Sequence, residues 1–188
     1  MVLWCGLGRS EGLWPMVVYM AEGAFLGVLL STVETYNREC MGLLIGVHRH
    51  NGDVAVQHAL PYQIATRTNF EVTPSATASR RMENVLKDFT HVELVGDFHS
   101  HPAGRKHKSS IRLSAIDRSY MAPDKLKMIV EIHRRERAVR WRYNRDGTIS
   151  GTLDDFFIKL AAWHLDEEGE HIRLATLRCP FALDFRGQ

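Results

Sequence analysis

From Gly23 onward apolar residues recur at steps of three and four, at Leu26, Leu29, Leu30 and Val33, which predicts a helix with one apolar stripe. The next run, Met41 to Val47, is short and continuously apolar, as a strand buried on both faces would be. Asn51-Gly52 then supplies a tight turn, and Asp53 to Leu60 alternates as the returning strand of a hairpin. Thr73-Pro74 is a helix start, and the stripe Ala78, Met82, Val85, Leu86, Phe89 carries that second helix to about Thr90. Strands are expected from Val92 to Phe98, Lys127 to His133 and Ala138 to Tyr143, the last with Val139, Trp141 and Tyr143 on one side. Arg145-Asp146-Gly147 turns into Thr148-Ile149-Ser150, and Asp154 is read as the cap of a last helix, Phe156 to Leu165. The sum is a mixed α/β sheet domain with helices packed on it. Residues 1–15 lack periodicity and are read as an arm, residues 16–153 as the core, and residues 154–188 as a C-terminal helix and tail packed on it, one domain overall.

Composition narrows the function classes. The chain has 188 residues, 24 basic against 22 acidic side chains, a net charge of +2, and 45% hydrophobic residues. That length suits one domain, and the hydrophobic share argues against wholesale disorder. A balance so near neutral argues against a protein that coats nucleic acid electrostatically. Its three cysteines, Cys5, Cys40 and Cys179, are too few and too scattered for a disulfide framework. The apolar stretch from Trp14 to Leu30 is interrupted by Glu22, so no membrane span is expected, and without a secretory pattern at its start the chain is expected in the cytoplasm. Ten histidines exceed what a core of this size needs, a first pointer to metal or acid–base chemistry.

That chemistry concentrates in Gly96-Asp97-Phe98-His99-Ser100-His101-Pro102. Two histidines at i and i+2 at the end of a strand face the same side, so both imidazoles can reach one ion. Downstream, Asp117 offers a carboxylate on the first turn of a short helix, with the Ser114 hydroxyl three residues before it. Zinc takes nitrogen and carboxylate ligands in a tetrahedron, and a catalytic site leaves one position for water. The water then needs a base. Glu39, just before a buried strand where an acid has no packing purpose, is the best candidate. Two histidines, an aspartate, a hydroxyl and a glutamate base describe a metal-assisted hydrolase. The pair His48/His50 has the same spacing but runs into the Asn51-Gly52 turn and is read as exposed. Asp97 could orient a histidine from outside, yet it is read as a solvated acid. The arginines from 134 to 145 are read as the charged face of an edge strand.

Together Glu39 to Gly46, His99-Ser100-His101-Pro102 and Ser114-Ala115-Ile116-Asp117 resemble the E…H-S/T-H-P…S-x-x-D signature of the MPN/Mov34/PAD-1 family, the JAMM metalloproteases. The resemblance runs from the first helix to about residue 130, with the pieces in the family's order. It implies a cytidine-deaminase-like mixed sheet flanked by helices and one zinc ion per chain, held by His99, His101 and Asp117. It further implies that Glu39 activates the water and that Ser114 stabilises the oxyanion. The implied reaction is hydrolysis of the amide after the C-terminal glycine of a ubiquitin-like protein, which is then the expected partner. Release of an amino acid from a ubiquitin-like sulfur carrier and a non-catalytic scaffold are the alternatives, and pairing of two such domains is a further expectation. One departure stands out: residues 102–116 make the stretch between His101 and Asp117 longer than the family's, through a basic loop at 103–112. A loop tolerates such an insertion at modest entropic cost.

Overall fold

A computed structural model describes residues 15–63, 65–67, 72–103, 109–166 and 168–183. The chain forms β1 (Val17–Met20), α1 (Glu22–Glu34), β2 (Met41–His48) and β3 (Val54–Pro61), followed by a short ribbon, β4 (Ala65–Arg67) with β5 (Val72–Pro74). After α2 (Ala76–Leu86) come β6 (Glu93–Pro102), α3 (Ala115–Ser119), β7 (Leu126–Arg134), β8 (Arg142–Tyr143) and β9 (Ile149–Leu153). The last elements are β10 (Phe156–Leu165), β11 (Ile172–Leu174), β12 (Thr176–Arg178) and a 3-10 turn, Pro180–Leu183. Most strands join one mixed sheet in the order β12-β1-β3-β2-β6-β7-β10-β9-β8, with β11 added on β10. The expected mixed sheet with flanking helices is present.

Alternation divides the sheet into two faces. Leu44, Phe98, Met128, Val130, Ile132, Ile158 and Leu160 belong to the main core, which α1 covers with Phe25, Val28 and Leu29. Phe25 meets Trp141 edge to face, ring centroids 5.3 Å apart. On the opposite side, Leu43, Ile45 and Tyr62 form a smaller cluster under Met82 and Leu86 of α2. That second face also carries residues 97, 99 and 101 of β6.

Several expectations need correction. The stripe chosen for α1 is only partly the buried one, since Leu30 is 61% exposed while Ala24, Phe25, Val28, Leu29 and Thr32 are buried. One fixed point is a close approach to β3: a Cβ on Gly27 would meet the Ala59 carbonyl oxygen at 3.0 Å, so α1 crosses β3 at a residue without a side chain. Thr73-Pro74 belongs to β5, and Ser75 caps α2 by accepting the Ala78 N–H at 3.4 Å. From the expected strand 138–143 only Arg142–Tyr143 pairs as β8, although Val139 still exchanges hydrogen bonds with Thr152.

The expected C-terminal helix is a strand. Residues 156–163 of β10 pair antiparallel with β7, and residues 156–160 pair with β9, so this segment lies inside the sheet. Its apolar run, broken only by Lys159 and His164, satisfies the periods of both helix and strand. The tie is broken by the turn, because Leu153 faces Phe156 across two residues and Asp154 takes φ 54°, a left-handed conformation that aspartate tolerates. Asp154 therefore closes a hairpin instead of capping a helix. Residues 1–14 of the arm expected at 1–15, the loop tip 104–108 and the chain end beyond Leu183 lie outside the described residues. Among the described residues no helix is long and apolar enough to cross a membrane.

Candidate metal centre

Strand β6 continues through both histidines to Pro102, so the i, i+2 geometry holds and the two imidazoles emerge on one face. Ser100, between them, points to the other side, where its hydroxyl accepts the Cys40 N–H at 2.9 Å. Asp117 comes from α3, whose first turn is locked by a capping box. Ser114 Oγ accepts the Asp117 N–H at 3.1 Å, and Asp117 Oδ2 accepts the Ser114 N–H at 2.7 Å. This exchange leaves Oδ1 directed at His99.

Three donors converge as a result. His99 Nε2 lies 3.0 Å from Asp117 Oδ1 and 3.1 Å from His101 Nε2, and His101 Nε2 lies 3.7 Å from Asp117 Oδ2. Two ligands about 2 Å from a single tetrahedral ion stand about 3.3 Å apart, so these separations suit one small cation. His99, His101 and Asp117 form the group among the described residues that could hold a metal ion.

Electrostatics keeps the donors in ligating form. Burial opposes the charge on Asp117, but the hydrogen bond and charge of His99 and the two bonds from Ser114 outweigh it and hold the carboxyl far below the usual carboxylate range. Burial and the neighbouring His99 lower the pKa of His101, against the opposing pull of the Ser110 carbonyl and Asp117, so its neutral imidazole dominates near pH 7. His101 Nδ1–H donates to the Ser110 carbonyl at 2.9 Å, which fixes the tautomer and leaves the Nε2 lone pair facing Asp117. The long loop thus contributes to the site. Its returning arm is pinned by Ser109, which accepts the Ile132 N–H at 3.0 Å, and by Trp163, which donates to the Ile111 carbonyl at 3.1 Å.

Glu39 stands half-buried just before β2. Met41 pairs with His99, and Cys40 with Ser100 through an N–H···O bond of 2.9 Å, so Glu39 immediately precedes this pairing, at the end of β2 that meets the histidines. His48 lies at the far end of β2, where its Nδ1 is 2.8 Å from Glu93 Oε1, well removed from the cluster. Asp97 corrects the sequence reading. It is no solvated acid: both its oxygens accept from Lys127 Nζ at 2.9 Å, and alternation opposite Phe98 puts it on the side of His99. The sequence reading missed Lys127, whose trace is a lysine set between Leu126 and the apolar run Met128-Ile129-Val130. The Ser110 carbonyl left no trace in the sequence, because a backbone acceptor has no residue signature.

The family of prokaryotic homologs of the JAB domain matches residues 24–144. The solution structure of a Desulfitobacterium hafniense protein is similar to this chain, with a TM-score of 0.55 at 17% identity over 86% of this chain and 92% of that one. A Salinibacter ruber protein is 19% identical over 90% of this chain and 94% of its own, with a TM-score of 0.48. No curated protein matches. The first structure shows a shared fold and nothing more. The family match, however, runs from α1 through β6 and α3 to β8, across every element that delivers a site residue, and so the chain belongs to the prokaryotic JAB-domain branch of the MPN/JAMM family.

Proposed function

We propose that this chain is a zinc-dependent peptidase, with a cytidine-deaminase-like fold, that hydrolyses the amide after the C-terminal glycine of a ubiquitin-like protein. The observation that carries the reading is the convergence of two imidazole nitrogens and one carboxylate oxygen within 4.8 Å of one another at the end of β6. Bound there, a zinc ion would lower the pKa of water towards neutrality and polarise a carbonyl. The chain supplies the rest. Glu39 takes a proton from the attacking water and returns it to the departing amine, a task supported by its half-buried position two residues before Met41, the β2 partner of His99. The Ser114 oxygen already accepts the Asp117 N–H, so its own proton is left to donate to the carbonyl oxygen as negative charge develops.

A protein substrate also needs a docking face. Val85 and Phe89, 58% and 48% exposed, flank an apolar groove between α2 and the β2–β3 hairpin, floored by Leu43 and Ile45. Exposed apolar ground of this kind marks interaction sites. The test is cleavage of a conjugate in which a ubiquitin-like protein is joined through its terminal glycine to a lysine. Cleavage at that bond, abolished by a chelator and restored by zinc, is the expected result. Zinc binding at one ion per chain without hydrolysis of any such conjugate would overturn the enzyme reading in favour of a scaffold.

A further inference from the structure

The alternation that brings His99 and His101 to one face of β6 brings Asp97 to it as well. Asp97 Oδ1 lies 4.0 Å from His99 Nδ1. Across the parallel pairing, Lys127 is the β7 partner of Asp97 and grips both carboxylate oxygens at 2.9 Å. Lys127 itself is only 6% exposed, so this is an ion pair set into the sheet face and not a loose surface contact. His99 Nδ1, meanwhile, is buried and has no hydrogen-bond partner among the described residues. The contrast with His101 is direct, since that ring spends its Nδ1–H on the Ser110 carbonyl.

A neutral imidazole that ligates through Nε2 carries its proton on Nδ1. A buried N–H then requires an acceptor, and ligating histidines ordinarily find a carboxylate or a carbonyl. Of the two sides of His99, the Nε2 side is taken by Asp117 and His101, and the Nδ1 side faces Asp97. We propose that Asp97 is the positioning residue of His99: it accepts the Nδ1–H when Nε2 engages a divalent cation, and Lys127 holds it in place for that purpose. Closing the gap takes a movement of about 1 Å, from 4.0 Å to hydrogen-bond distance. Lys127 grips both carboxylate oxygens from β7, so that Asp97 orients a ligand without becoming one. The role rests on the metal reading given above.

The experiment is zinc titration of the metal-free protein against a chromophoric chelator, for the wild type, Asp97→Asn, Asp97→Ala and Asp97→Glu, with metal-free thermal melts alongside. Asp97→Ala should weaken zinc binding by about 10- to 100-fold. Asp97→Asn keeps an acceptor oxygen and loses the charge, so it should fall between wild type and Ala, and Asp97→Glu should recover part of the loss. The cobalt-substituted protein should show a shifted visible spectrum in Asp97→Ala, a change that loss of a purely structural ion pair would not produce. If Asp97→Ala does not fold, the isosteric Asn variant decides. Folded Asn or Ala variants that bind zinc within twofold of wild type would overturn the proposal while leaving the metal centre intact. A wild type that takes up no zinc would overturn both.

Discussion

Ser114 asks one oxygen to serve two purposes. Its lone pair holds the Asp117 N–H at 3.1 Å, and the proposed chemistry uses the remaining proton on the substrate oxygen. Ser114→Ala should therefore lower stability by about 1 kcal/mol, as loss of a helix cap does. It should also lower kcat by about 10²- to 10³-fold, as loss of an oxyanion donor does, with zinc still bound. Urea unfolding and steady-state kinetics on the same variant check both parts. At this scale the sequence was most legible. His99, His101, Asp117 and Ser114 are all side chains whose spacing reports a shared face or a shared turn, and the structure brings these four together. Asp97 was misjudged because its partner, Lys127, is 30 residues away and reaches it only through the parallel pairing of β6 and β7. Such pairings have no local trace.

Among the elements, β10 departs most from expectation. It sits between β7 and β9, with Leu160 and Ile158 fully buried against the face that α1 covers. Leu160→Ala should cost about 2–5 kcal/mol, a core cavity and not a surface trim. Chemical denaturation should show one cooperative transition shifted to lower denaturant. A second, separate transition for the C-terminal segment would mean that β10 is an appendage after all. The misassignment has a physical cause: a run apolar on both faces looks alike at either period, and the Asp154 turn that decides it depends on a left-handed φ that aspartate takes only in context. The two-residue shift at α2 has a similar origin, because Ser75 and Thr73 are both competent caps and the short β4–β5 ribbon chooses between them. By contrast β2, β3, β6 and β7 were readable, since continuous or alternating runs bounded by a turn admit few other arrangements.

Over the whole molecule, work is divided between the two faces of the sheet. The α1 face holds the main core, and the opposite face carries the metal cluster, the Asp97–Lys127 pair and the apolar groove beside α2. A docked ubiquitin-like domain would then lie on the same face as the chemistry. Val85→Asp puts a charge on that groove at an exposed helix position, so folding and zinc content should hold while KM for a protein conjugate rises by about tenfold or more. An unchanged KM, with a short peptide cleaved equally well by both proteins, would place docking elsewhere. In the proposed mechanism one cluster binds the metal and a separate carboxylate performs the proton transfer. Glu39→Gln isolates it: measured on one preparation, zinc content should stay at one ion per chain while turnover of the conjugate falls by about 10²- to 10⁴-fold. Loss of zinc together with turnover would make Glu39 part of the binding site, and full turnover with zinc in place would remove it from the reaction.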